Sequence, residues 1–245
     1  MIKSLLISIA LISAFPSESS ANIFHKIKNA KVYEQIEQTT AFLIKAWESN
    51  EEIQSRPPQV IPISGESTVY GGCGSYITGS EVGGSSFCPA TNTIFLVPSQ
   101  LKSFEEEFGP SSVAYVVAHE FAHAVQTAYD IRLSIPNHEL QADCLAGVFI
   151  KEGSKELGIT REDTLAMAKV AYSIGDSTHG SGEQRAYALS SGMGVIDGSC
   201  KAEEIKALVE GNIDTSMFSN TRSASKSINL DITPYPKTIL SSIGL

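Results

Sequence analysis

His119, Glu120 and His123 stand in the order HEFAH. On an α-helix, positions i and i+4 lie on nearly one face, a turn apart, so both imidazoles can point at one ion. Glu120 sits about 100° around the axis, beside such an ion and not on it. A carboxylate there can take a proton from ion-bound water and later deliver it to a leaving amine. Zinc suits the set, because it accepts imidazole and carboxylate, has no redox chemistry and lowers the pKa of bound water to about 7. With five histidines in the chain, a chance HExxH is expected on the order of 0.01 times. The flanking VAYVVA and AV are apolar, which buries the helix. Two buried imidazoles without partners would be costly, and a metal removes that cost.

A catalytic zinc needs a third protein ligand and an open fourth position. His138, Glu139 and Asp143 are the candidates, all on the next expected helix. Glu139 and Asp143 are i and i+4 and share a face. Glu139 has the longer reach and is the expected ligand. Asp143 is expected to accept a hydrogen bond from a ligand histidine and fix its tautomer. His138 points about 100° away and reads as an exposed residue near a helix start.

Val117–Gln126 (VAHEFAHAVQ) together with Glu139–Gly147 (ELQADCLAG) resembles the predicted neutral zinc metallopeptidases of bacteria. Thr178–Arg185 (THGSGEQR), followed by Ser191-Gly192 and Cys200, is similar to the same family, as is Cys73-Gly74-Ser75 with Phe87-Cys88-Pro89. The resemblance implies a zincin core of the glutamate-ligand type. It implies one zinc per chain on His119, His123 and Glu139, Glu120 as general base, and a peptide or protein substrate. Family members often have Gly where Ala122 stands and His where Ala124 stands, neither an expected ligand. ExxAD at Glu139–Asp143 is also similar to the prenyl-protein and heat-shock membrane proteases, in which a THP…R segment lies near the scissile carbonyl. That likeness makes His179 a candidate oxyanion donor and Arg185 a candidate for orienting a substrate carboxylate or carbonyl. The competing readings are a loop histidine near a turn and an internal salt bridge or surface charge.

The elements that must position these groups follow from periodicity and punctuation. Residues 22–52 read as a helix, with Ile27, Val32, Ile36, Phe42, Leu43 and Trp47 recurring at helical spacing before Arg56-Pro57-Pro58. Residues 60–97 read as β structure, with a Gly/Ser-rich turn at 79–86 and a strand at 92–97 (NTIFLV). Gly109-Pro110-Ser111-Ser112 announces a helix over 113–129, and Pro136 another to about 152. Thr160 is an expected N-cap for a helix to 174, followed by helices over 183–192 and 202–210. The expected class is α+β, a mainly helical zincin-like core with a small β-sheet and hairpin region before the HExxH helix. The domain spans 22–210. Residues 211–245 read as a polar tail, partly extended and able to dock on the domain, with one short alternating strand at 228–232.

Hydrophobic residues make up 42 % and charged ones 18 %, enough apolar material for a folded core. The net charge of −9 argues against nucleic-acid or anionic-lipid partners. Lys3, the apolar run Leu5–Phe15 and Ser19-Ser20-Ala21 form a signal-peptide pattern over 1–21. The run is shorter than the roughly 20 residues a bilayer span needs, so the mature chain is expected to be secreted or periplasmic, without a stable span. Cys73, Cys88, Cys144 and Cys200 contain no CxxC pair, which argues against a thiolate zinc site. In an oxidising compartment they allow three pairings. Cys73–Cys88, closing a short Gly-rich hairpin, and Cys144–Cys200 are favoured. The expected activity is peptide-bond hydrolysis. Its alternatives are a secreted zinc-containing binding module, against which the intact Glu120 argues, and a zinc hydrolase of cell-wall amides. Nothing in the sequence sets the oligomeric state.

Overall fold

The computed structural model describes residues 20–63, 68–70, 76–78 and 84–219, with side chains for 30–63 and 84–219. Cys73, most of the expected 1–21 export segment and the expected strand at 228–232 lie outside the described residues. Helix α1 is Ser20–Glu48. Val32, Ile36, Thr39, Leu43 and Trp47 form its buried stripe, spaced three or four apart as a 3.6-residue period demands. It ends earlier than the prolines suggest. Asn50 Oδ1 accepts the Glu52 backbone N–H at 3.0 Å, a local bond that competes with the helical ladder.

Strands β1 (Gln59–Pro62), β4 (Ser86–Cys88) and β5 (Thr93–Leu96) form one small sheet in the order β1-β5-β4. The β1–β5 pair is parallel and the β4–β5 pair antiparallel. All four residues of β5 are buried, which accounts for its unbroken apolar run. Strands β2 (Thr68–Tyr70) and β3 (Tyr76–Thr78) pair antiparallel.

Helix α2, Pro98–Phe108, was not expected. Its signals are Pro98 at the first turn and an apolar stripe of Leu101, Phe104 and Phe108, a pattern half hidden by three consecutive glutamates. Helix α3, Ser111–Ala128, carries HEFAH. From Ser111 to Gln126 every residue is buried except His123, which is half-buried. Then come α4 (Asn137–Gly153), α5 (Arg161–Ser173), α6 (Gly182–Met193) and α7 (Ala202–Val209). Thr160 and Ser181 each cap a helix with a reciprocal capping box, satisfying orphan N–H groups at both starts. The class is therefore α+β and mainly helical.

Helices α4 and α6 make the most extensive helix contact. A Cβ at Gly192 would lie 1.8 Å from the Cys144 carbonyl oxygen, and one at Gly147 2.3 Å from that of Leu189. Only glycine at both positions lets the two backbones come this close. Cys144 is disulfide-bonded to Cys200, with Cα atoms 5.5 Å apart, tying α4 to the segment before α7. Cys88 is disulfide-bonded too. Of the expected tail, Ser216–Phe218 forms a 3-10 turn whose buried Phe218 packs edge-on against Tyr187. None of the described helices is long and apolar enough to cross a membrane.

Candidate metal centre

Helix α3 projects His119 and His123 toward the first turn of α4, which supplies Glu139. His119 Nε2 lies 3.2 Å from His123 Nε2 and 3.3 Å from Glu139 Oε2. His123 Nε2 lies 3.4 Å from the same oxygen. Ligands bound at zinc–nitrogen distances stand at the corners of a tetrahedron with edges of about 3.3 Å. The three atoms therefore have the spacing of one face of a tetrahedral zinc site, and this triad could hold an ion. Burial pushes the Glu139 carboxyl up, but the His119 and His123 rings beside it hold it well below the usual range. It is thus an anion at neutral pH, as a ligand must be.

The outer nitrogens are equally constrained. His119 Nδ1 lies 2.8 Å from Asp143 Oδ1. An ionised carboxylate only accepts, so this nitrogen carries a proton. Asp143 also accepts from Tyr115 Oη at 2.6 Å, Arg185 Nε at 2.8 Å and Arg185 Nη2 at 2.9 Å. Arg185 Nη2 further donates to Tyr115 Oη at 3.2 Å, and Nη1 to the Ile174 carbonyl at 3.4 Å. Burial would raise the Asp143 pKa, but the Arg185 guanidinium and His119 outweigh it and hold it at about 2. Burial also opposes charge on His119, yet Asp143, with Glu139 and Glu120, raises its pKa to about 10. On the far histidine, His123 Nδ1 lies 2.8 Å from Gln126 Oε1. The His138 ring stacks on His123, with centroids 5.0 Å apart.

Glu120 is buried, and desolvation raises its pKa above the ordinary carboxylate value. It lines two cavities that also share His119 and Ser85. One, of about 260 Å³, is lined by His119, His123 and Glu139, by Ser86 and Phe87 of β4 and by His138. The other, of about 120 Å³, runs under Phe104, Val116, Ile174 and Arg185. A third, of about 500 Å³, shares Pro89, Thr127 and His138 with the first and continues past Ile131, Leu133 and Ile135. Helix α2 shapes this cleft, because Gln100 Oε1 accepts from the Ser85 N–H at 2.9 Å and its hydroxyl at 3.1 Å.

The structure thus brings His119, Glu120, His123, Glu139, Asp143 and Arg185 together. Arg185 takes the internal salt bridge, one of the readings its position in the sequence allowed. His179 is half-buried and lies outside this cluster, its Nδ1 2.8 Å from Asp176 Oδ2. Its loop is closed by the Asp176 N–H to Gly180 carbonyl bond, 2.8 Å. Gly180, at φ +97°, packs against Leu140, the neighbour of Glu139. Sequence reasoning missed Tyr115, Gln126 and Gln141. The first two were findable, since Tyr115 is i−4 from His119 and Gln126 is i+3 from His123. The Gln141 side chain meets the Cys200 carbonyl, which no local spacing announces.

The family model described as "Putative neutral zinc metallopeptidase" matches residues 25–197. This chain belongs to that family. Two Escherichia coli proteins, from strain K12 and from an O6:H1 strain, are each 28 % identical to it over 149 residues. Both carry the name "Uncharacterized protein YpfJ". The match covers 46 % of this chain and 50 % of each relative, so the chain spans about half the length of the curated relatives it matches. No solved structure matches it.

Proposed function

We propose that the chain is an extracytoplasmic zinc-dependent endopeptidase, its catalytic domain spanning 22–210, in which His119, His123 and Glu139 hold one zinc and Glu120 is the general base. The observation that carries this reading is the position of Glu120, a buried carboxylate on the walls of two cavities it shares with His119. Zinc in such a site supplies a Lewis acid for the scissile carbonyl and lowers the pKa of its bound water to about 7. Glu120 accepts the proton of the attacking water on a carboxylate oxygen and passes it to the leaving amine. Desolvation brings its proton affinity toward the operating pH, which suits a group that must take up and release a proton in one turnover.

Cavities extend along the cleft on both sides of Glu120 and the triad, which favours substrates that continue past the cut in both directions. His179 is the proposed oxyanion donor. Asp176 holds its Nδ1, leaving Nε2 as the free end. Arg185 acts through Asp143 and not on substrate, because its fork is spent on that carboxylate. Export rests on the 1–21 pattern and on the Cys144–Cys200 disulfide, a bond that persists in oxidising compartments.

The test is a zinc assay on purified protein beside cleavage of unfolded casein and a mixed peptide library. One zinc per wild-type chain is expected. Glu120→Gln should keep the zinc and lose activity by about 10²–10⁴-fold, the usual contribution of general acid–base catalysis. Undiminished cleavage by Glu120→Gln, or no cleavage by zinc-loaded wild type, sinks the enzymatic reading. Full zinc occupancy in Glu139→Ala removes Glu139 from the ligand set.

A further inference from the structure

Behind His123 a line of side-chain amides runs to the disulfide. Gln126 Nε2 donates to the His138 carbonyl at 2.8 Å and to Gln141 Oε1 at 3.1 Å. Gln141 Nε2 donates to the Cys200 carbonyl at 3.0 Å. Gln126, Gln141, Cys144 and Cys200 are all buried, so water has little access to their polar groups.

The direction of every bond follows from the far end. A backbone carbonyl only accepts. Gln141 must therefore turn its NH₂ to Cys200, which leaves its oxygen facing Gln126. Gln126 then has two acceptors before it, the His138 carbonyl and Gln141 Oε1, and must give both its N–H groups to them. Its own oxygen is left facing His123 Nδ1, 2.8 Å away. An oxygen there requires a proton on Nδ1, and a neutral imidazole carries only one. The lone pair of His123 is thereby placed on Nε2, the atom that lies 3.2 Å from His119 Nε2 and 3.4 Å from Glu139 Oε2.

We propose that Gln126 and Gln141 are positioning residues that lock His123 in its metal-accepting tautomer, with the Cys200 carbonyl as the fixed end of the chain. The disulfide holds that carbonyl to α4, the helix that also carries Gln141 and Glu139. A flip of either amide would set two acceptors or two donors face to face in a dry interior, a mismatch buried polar groups do not tolerate cheaply. The inference rests on the reading of His123 as a zinc ligand.

Its test has two readouts. Ring-nitrogen NMR of the metal-free protein reports the His123 tautomer, and competition with a chelator reports the zinc dissociation constant. In wild type His123 is expected in the Nδ1–H form. Gln126→Met, close in shape but unable to hold the bond, should give a mixture of tautomers and lose zinc affinity by about 10–100-fold, the range for groups that orient a ligand histidine. Gln141→Met leaves the His123 contact and the disulfide in place and should shift both readouts the same way, by about tenfold in affinity. Wild-type tautomer and wild-type affinity in either folded variant overturn the proposal while leaving His123 a ligand. A wild type that shows the Nδ1–H form but binds no zinc overturns the ligand reading instead, and with it the role of the chain in metal binding.

Discussion

Asp143 is a fully buried anion with a guanidinium forked onto it. Breaking such a pair from one side leaves an uncompensated charge in the interior, a loss of about 3–5 kcal/mol. Arg185→Met should therefore cost stability on that scale, measured as the shift in urea unfolding of the metal-free protein. A loss below about 1 kcal/mol would mean that Asp143 finds another partner or takes a proton. The same residues show what was legible. HEFAH and the ELQAD that follows lie on two helices, and helical spacing alone brings their polar groups to a common face. Arg185 was ambiguous because its partner lies 42 positions away. An isolated arginine at a helix start carries no sign of whether it points in or out.

Most helices were readable from capping residues and apolar stripes, because both signals are local. Helix α2 was not. Its polar face is a run of glutamates, and one of them is buried. Glu105 accepts from Lys102 at 2.7 Å and faces Lys31 of α1 at 3.4 Å, so it pins α1 to α2. Burial pushes its pKa up, but the two lysines outweigh burial and leave it below the ordinary glutamate value. A carboxyl lowered on folding stabilises the fold above its unfolded pKa, about 4.3 for glutamate, and loses that contribution as pH falls through the folded value. Glu105→Gln should be less stable than wild type at pH 7, and the two should converge below about pH 4. Urea midpoints of both proteins across that range would show it, and a gap unchanged down to pH 3 would refute it. The close approach at Gly147 and Gly192 was equally hidden, since a glycine inside a helix reads only as a weakness.

At the scale of the molecule the cleft lies between β4 of the small sheet and the helical core, and the Cys144–Cys200 disulfide ties α4 to the segment before α7. Cys144 and Cys200 are 56 positions apart, a loop whose closure is worth about 4 kcal/mol in the chain-entropy account of disulfides. The paired variant Cys144→Ala/Cys200→Ala should be less stable by about that amount in equilibrium unfolding, and should surrender zinc to a chelator faster than wild type. Unchanged stability would mean that packing between α4 and α6 suffices to hold the Cys200 segment. The disulfide partner and the course of the cleft depend on how distant segments meet, which is why neither was more than an expectation from the order of residues.

The order in which the chain is made gives the Asp143 cluster a schedule. A growing chain presents His119 and His123 first, then Glu139 and Asp143, and only later Arg185 and Cys200. Until α6 arrives, Asp143 has no guanidinium to neutralise it and cannot be buried without cost. Until the Cys200 segment arrives, the amides behind His123 have no fixed end. With the proposed ligands, a nascent chain would hold only a loose and exchangeable metal site. Durable loading waits for the last third of the sequence, so premature termination before Arg185 would yield a product with every expected zinc ligand and no settled place to put the ion.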